Sequence, residues 1–207
     1  MEAAMTIPAV TALIDTYNHE RFIEEAIVSA LEQDFPSADV EILVVDDGST
    51  DRTPEIVRKF EPRVRLIRKP NGGQASAFNT GIPQARGEII AFLDGDDRWA
   101  KKKLQIVTDT MAAHPDIGIV GHGYYEDFTS GEEGKVICPE GIYRLHLRDA
   151  QAAALFIQLK GFLGTSKLAI RKPILDRVLP IPIELKIEAD EYMFTAAVAV
   201  SDALILT

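Results

Sequence analysis

Short apolar runs alternating with amphipathic stretches predict an α/β fold built on a doubly wound, mostly parallel sheet. Three observations carry this expectation. Between residues 10 and 93 there are β-type runs at Val10–Ile14, Val40–Val45, Val64–Ile67 and Ile89–Leu93. A stretch with helical spacing separates each run from the next, as parallel neighbours require. Each run also stops at a polar loop, and in sheets of this kind ligands bind beyond the carboxyl ends of the strands.

After Val10–Ile14, the residues Phe22, Ile23, Ala26, Ile27, Ala30 and Leu31 recur at helical spacing, with Asn18 as the expected cap and Pro36 as the stop. Val40–Val45 leads into Asp46-Asp47-Gly48-Ser49-Thr50-Asp51, whose last residues suit the start of a helix over Arg52–Phe60. Val64–Ile67 precedes Arg68-Lys69-Pro70-Asn71-Gly72-Gly73, and the next helix carries Ala75, Phe78, Ile82 and Ala85 and closes at Gly87. The run Ile89–Leu93 reads as a buried strand ending in Asp94-Gly95-Asp96-Asp97, with Asp97 capping a helix from about Trp99. Leu104, Val107 and Met111 mark a further amphipathic helix, and Ile117–Val120 a strand. The alternation then lapses. Gly121–Gly141 reads as a loop or hairpin excursion, Asp149–Leu159 as a helix, Gly161–Ile170 as a loop entering a strand, Ile187–Val200 as a buried helix and Ala203–Leu206 as a last strand. Pro173, Pro180 and Pro182 punctuate the stretch between. With no repeat, low-complexity tract or linker, the expectation is one domain over residues 1–207. Its nucleotide-binding half covers about residues 8–100 and a less regular, acceptor-shaping half about 101–207.

Composition narrows the function. Lys and Arg total 22 against 32 Asp and Glu, a net charge of −10, which argues against a nucleic-acid footprint. An anionic substrate must then be met by local positive groups or a metal. Cys138 is the single cysteine, so no internal disulfide forms and a reducing compartment fits. The N-terminus has no cationic and apolar segment of the signal-peptide kind, and no run of about 18 apolar residues occurs. A cytoplasmic location follows as the expectation, compatible with peripheral attachment to a membrane.

Three carboxylates within the four positions 94–97 repel one another unless something positive sits among them. A hard divalent cation, Mg2+ or Mn2+, is the natural candidate, taking one or two carboxylates and leaving room for substrate phosphates. Taken alone, the cluster reads first as a polar turn. Beside Arg68, Lys69 and the close-approach glycines Gly72 and Gly73, it suits a diphosphate ligand. Neither a P-loop nor a Gly-x-Gly-x-x-Gly after the first strand is present, which disfavours an ATPase and a dinucleotide cofactor.

The combination Thr16-Tyr17-Asn18, Val44-Val45-Asp46-Asp47-Gly48-Ser49-Thr50-Asp51, Asn71-Gly72-Gly73-x-Ala75-x-Ala77-x-Asn79-x-Gly81, Ala85-x-Gly87-Glu88 and Phe92-Leu93-Asp94-Gly95-Asp96-Asp97 resembles the inverting family 2 glycosyltransferases, which have the GT-A fold. The match covers roughly residues 10–100, and the second half matches more loosely. The resemblance implies transfer of a sugar from a nucleoside diphosphate donor, with a UDP-sugar favoured, to a hydroxyl of a glycan, lipid-linked or other acceptor. By the same resemblance Thr16, Tyr17 and Asp47 hold the nucleobase, Asp46 supports their loop, and Arg68 and Asn79 face the ribose or diphosphate. Asp94, Asp96 and Asp97 share the ribose and metal contacts, with the division among them open. Asp15 departs from the pattern, which has proline there; the expectation is that it caps or hydrates a turn.

Inverting transfer needs a general base for the acceptor hydroxyl. The resemblance places it at the start of a late helix, where Asp190 is the first choice and Glu191 the second, in the segment Glu188-Ala189-Asp190-Glu191. The lesser reading is that these acids merely complement a helix N-terminus. Thr165, Ser166 and Trp99 are candidates for shaping the pocket, while His122 and His146 read as packing or surface residues. Two other classes stay in play: a non-catalytic or truncated nucleotide-sugar-binding domain, and a sugar nucleotidyltransferase. The latter needs a Gly-rich basic loop where this chain has Asp15-Thr16-Tyr17-Asn18-His19.

Overall fold

Alternate side chains of the first strands face opposite ways and are buried on both sides, which requires a layer of helices on each face. In this computed structural model the described residues are 9–127, 134–185 and 188–207. The reading of the N-terminus before Ala9, the centre of the 121–141 excursion and the Ile187 helix start lie outside them. The strands are β1 (Val10–Thr16), β2 (Val40–Asp46), β3 (Val64–Arg68), β4 (Ile89–Asp94) and β5 (Ile117–His122). There follow β6 (Tyr124–Glu126), β7 (Lys135–Ile137), β8 (Tyr143–Leu145), β9 (Leu168–Arg171) and β10 (Asp202–Leu206). Helices are α1 (Ile23–Leu31), α2 (Thr53–Arg58), α3 (Gln74–Gln84), α4 (Lys103–Ala113), α5 (Ala150–Leu159), α6 (Lys172–Val178) and α7 (Ala189–Val200).

The main sheet has the order β3-β2-β1-β4-β9-β5-β10-β8, and β6 pairs separately with β7 as a hairpin. Neighbours β1, β2, β3 and β4 are parallel, as are β5 and β10. β9 runs antiparallel between β4 and β5, and β8 antiparallel on β10. Leu13, Leu43, Val45 and Phe92 pack on one face with Phe78 and Ile82 of α3 and Met193 and Phe194 of α7. Ala12, Ile14, Val44 and Leu93 pack on the other with Ile23 and Ile27 of α1, Val57 of α2 and Leu104 and Val107 of α4. Each fully buried Leu, Ile, Val, Phe or Met side chain among these is worth roughly 1.5–3 kcal/mol relative to exposure.

Several element expectations are corrected. Asn18 does not cap α1: it takes a left-handed conformation, φ 57°, and its Oδ1 accepts from the Thr50 amide at 2.8 Å. α2 is shorter than Arg52–Phe60, with Pro54 in its first turn and Asp51 Oδ1 accepting from the Thr53 amide. α4 begins at Lys103 rather than near Trp99, and Asp97 closes a turn through its backbone amide on the Asp94 carbonyl instead of capping a helix. α6 was not expected, because Pro173 reads as punctuation, yet proline fits a helix's first turn, where its missing N–H costs nothing. α5 starts as expected, with Asp149 accepting from the Ala152 amide at 2.8 Å.

Candidate functional site

The loops following β1, β2, β3 and β4 lie along one edge of the sheet and are laced together. The Asp47 amide donates to the Thr16 carbonyl, the Lys69 amide to the Asp46 carbonyl and the Gly95 amide to the Asp15 carbonyl. Asp46 is fully buried and holds its loop, as expected: Oδ1 accepts from the Ser49 amide at 2.9 Å and Oδ2 from Arg68 Nε at 3.0 Å. Gly48 sits at φ +81°, and a side chain there would meet the Asn71 amide nitrogen at 2.6 Å. Tyr17 is 44% exposed at the lip of this edge. Thr16 is buried beneath Gly95, whose absent Cβ would lie 2.6 Å from Thr16 Oγ1 and 2.8 Å from His19 Nδ1. Gly95 is therefore what lets the β4 loop lie on the β1 loop.

Three of the expected donor contacts are redirected within the protein. The Asp47 carboxylate accepts from Lys69 Nζ and from the amides of Gly72 and Gly73, the latter at 2.7 Å, so its oxygens are engaged by the glycine loop. A ring N–H would have to replace the Lys69 ammonium there. Arg68 spends Nε on Asp46 and Nη2 on the Ser49 carbonyl at 2.6 Å, facing the β2–α2 loop instead of the cavity. Asn79, expected at the ribose or diphosphate, has its side-chain amide engaged within the protein. Its amide donates to the Ile181 carbonyl at 2.7 Å and accepts from the Ile181 amide at 2.8 Å, which ties α3 to the segment after α6.

Beyond β4 the chain lines a cavity of about 1370 Å3, shared by Asp94, Asp96, Asp97, Trp99, Lys103, His122, Thr165, Ser166, Lys167 and Asp190 among others. Asp94 accepts from Gln74 Nε2 at 3.1 Å and from Ser166 Oγ at 3.2 Å, and burial together with the carboxylates of Asp97, Asp96 and Asp190 raises its pKa to about 7. Asp15, opposite it in the β1–β4 register, turns inward rather than hydrating a turn. Its Oδ2 accepts from the same Gln74 amide at 3.3 Å, its Oδ1 has no partner, and burial and then Asp94 hold it well above the usual carboxylate range. Asp96 and Asp97 are exposed.

Asp94, Asp96 and Asp97 crowd this loop, and their donors are all hard oxygens, which fits a Mg2+- or Mn2+-type ion. Among the described residues no three His, Cys, Asp or Glu side chains form a preformed cage. A few-ligand site completed by substrate oxygens is the arrangement left to these residues.

On the opposite wall, Asp190 lies in the first turn of α7 with Oδ2 at 3.4 Å from both the Thr165 amide and Thr165 Oγ1. Glu191 points elsewhere, paired with Lys160. The geometry therefore separates the two candidates: Asp190 faces the cavity and Glu191 does not line it. Trp99 is buried in the wall with Lys103 Nζ 4.4 Å from its ring centroid, and Thr165 and Ser166 line the cavity as expected.

His122, read as a packing or surface residue, lines the cavity too, and burial followed by the Lys103 and Lys167 charges pushes its pKa down to about 3. Gln74, Lys103 and Lys167 were not anticipated. Lys103 had a signal: it stands at i, i+4, i+8 with Val107 and Met111, on the buried stripe of α4.

The model of the family described as Glycosyl transferase family 2 matches residues 11–178. An uncharacterized glycosyltransferase of Nostoc sp. is 33% identical over 189 residues, covering 87% of this chain and 56% of that protein. The poly(ribitol-phosphate) β-N-acetylglucosaminyltransferase TarS of Staphylococcus aureus is 37% identical over 99 residues, 46% of this chain and 17% of its own length. The crystal structure of S. aureus TarS 1–349 in complex with UDP-GlcNAc superposes with a TM-score of 0.74 and 26% identity, over 95% of this chain and 55% of that one. The fold is accordingly of the GT-A type. The chain spans about half or less of the length of these relatives. No helix among the described residues is long and apolar enough to cross a membrane.

Proposed function

From the premise that this chain belongs to glycosyltransferase family 2, we propose that it moves a sugar from a UDP-sugar to an acceptor hydroxyl with inversion, assisted by a divalent cation. The observation that carries this reading is the placement of Asp96 and Asp190 on two walls of one cavity, with the strand-end loops of β1 to β4 beside it. The match to a UDP-GlcNAc complex supports UDP as the nucleotide.

Tyr17 flanks the nucleobase from the loop that the buried Thr16 begins, with Asp47 reached when Lys69 gives way, and Asp46 and Arg68 keep that loop in place. Asp96, with Asp94 or Asp97, would hold Mn2+ or Mg2+, which when bound neutralises charge on the departing diphosphate. Gln74 fixes Asp94 by a hydrogen bond from its amide. Asp190 takes the proton from the attacking hydroxyl, and Thr165 holds the carboxylate toward the cavity. The buried wall of Trp99, Ser166 and Lys103 limits water beside the reacting sugar. An acceptor glycan, lipid-linked or otherwise hydroxylated, fits the cavity's size, and peripheral attachment to a membrane and a cytoplasmic location accompany this reading as proposals.

Calorimetric titration of UDP with and without Mn2+ tests it. Micromolar-range binding that strengthens with Mn2+ is expected, and absence of any nucleoside diphosphate binding in either condition refutes the reading.

A further inference from the structure

Two lysine side chains line the cavity, Lys167 on the side of Asp190 and Lys103 toward Asp97 and Asp94, and neither forms a salt bridge with a carboxylate among the described residues. Lys103 Nζ donates to the Ser166 carbonyl at 2.6 Å and lies over Trp99. Lys167 Nζ lies 4.2 Å from the Tyr124 ring centroid. Burial pushes both lysines down, against the opposing pull of Asp97 and Asp94. Lys103 is buried and Lys167 half-buried; withdrawing a cation from water without an ion partner is costly, and a bound anion relieves that cost.

The neighbourhood says what kind of anion. A Cβ placed on Gly164 would lie 3.2 Å from Lys167 Nζ and 3.7 Å from Asp190 Oδ2, so only a glycine's empty flank separates the ammonium from the carboxylate. His122 Nδ1 is 2.6 Å from the Gly123 carbonyl, which can only accept. That nitrogen carries the proton, which leaves the buried Nε2 as an acceptor without a partner. The wall thus offers cations and a carboxylate within one recess.

We propose that Lys167, with Lys103 behind it, seats an anionic group of the sugar acceptor beside the hydroxyl that Asp190 deprotonates, so that the acceptor is an anionic polyol or glycan. The inference rests on the assignment of Asp190 as the base. In an inverting displacement the incoming oxygen and the departing diphosphate occupy opposite sides of the anomeric carbon. A cation beside the base therefore stands on the acceptor's side.

The test titrates sn-glycerol 3-phosphate, with glycerol as the neutral control, into the wild-type chain and into Lys167→Met, Lys167→Arg and Gly164→Ala; UDP with Mn2+ is titrated in parallel. Glycerol phosphate is expected to bind the wild type and glycerol not. Lys167→Met is expected to weaken glycerol phosphate by about tenfold or more, the size of a lost charge-assisted contact. Lys167→Arg should restore most of that affinity, Gly164→Ala should reduce it by filling the gap, and UDP affinity should not move. Weaker UDP binding in Lys167→Met with glycerol phosphate unaffected would assign the cations to the donor diphosphate and overturn the proposal. Equal glycerol phosphate binding by wild type and Lys167→Met, or none by the wild type, would overturn it as well. If the wild type binds glycerol phosphate but no UDP, the donor reading fails while the anion seat stands.

Discussion

At the scale of single residues, the cavity separates groups that the sequence could only offer together. Asp190 and Glu191 are adjacent and chemically alike, and only the direction of the first turn of α7 sends one to the cavity and the other to Lys160. Asp190→Asn is expected to lower the transfer rate by roughly 10²- to 10⁴-fold, the usual worth of a general base, while UDP affinity stays at the wild-type level. Asp96→Ala should instead abolish the Mn2+-dependent part of UDP affinity, read by the same titration in EDTA and in Mn2+.

His122 supplies a pH prediction. Its folded pKa of about 3 lies below the ordinary 6.5, so the unfolded chain takes up the proton first. The stability that neutral His122 contributes is complete above pH 6.5 and is lost as pH falls from there toward 3. In urea melts, the stability gap between wild type and His122→Gln should shrink on going from pH 7 to pH 5. A gap that is constant or widens would contradict the assignment. The loop residues Asp46, Asp94 and Asp96 were legible because their spacing after apolar runs is distinctive. Asp15 and Gln74 were not, since their meaning depends on which strand lies opposite.

At the scale of elements, α3 joins two parts of the molecule that the sequence treats separately. Asn79 pins it to Ile181, which is 1% exposed, so removing the amide leaves a buried N–H and C=O without partners. Asn79→Ala is expected to cost about 1–3 kcal/mol of stability, measured by urea denaturation, with no change in UDP affinity. A donor-binding role would give the reverse pattern. The elements before residue 113 were readable because apolar period and turn residues agree. α6 and the antiparallel direction of β9 were not, because a proline that starts a helix resembles one that ends it, and because periodicity reveals a strand without its direction.

At the scale of the whole molecule, β9 is hydrogen-bonded to β4 on one side and β5 on the other, so the regular first part and the irregular second part share a continuous sheet. Trp99 fluorescence and far-UV circular dichroism are expected to report one coincident unfolding transition, and two separated midpoints would refute that. Saturating UDP with Mn2+ should move this single transition upward as a unit.

The reversed direction of β9 has a further result. The loops after β1, β2, β3 and β4 each leave the end of a strand, whereas Thr165, Ser166 and Lys167 arrive at the same edge just ahead of one. The two sets of residues are thus on separate stretches of chain. Under the proposed function, insertions and substitutions between β5 and β9 would remodel the acceptor wall while the strand-end loops of β1 to β4 keep their register, which would make acceptor choice and donor choice independently evolvable.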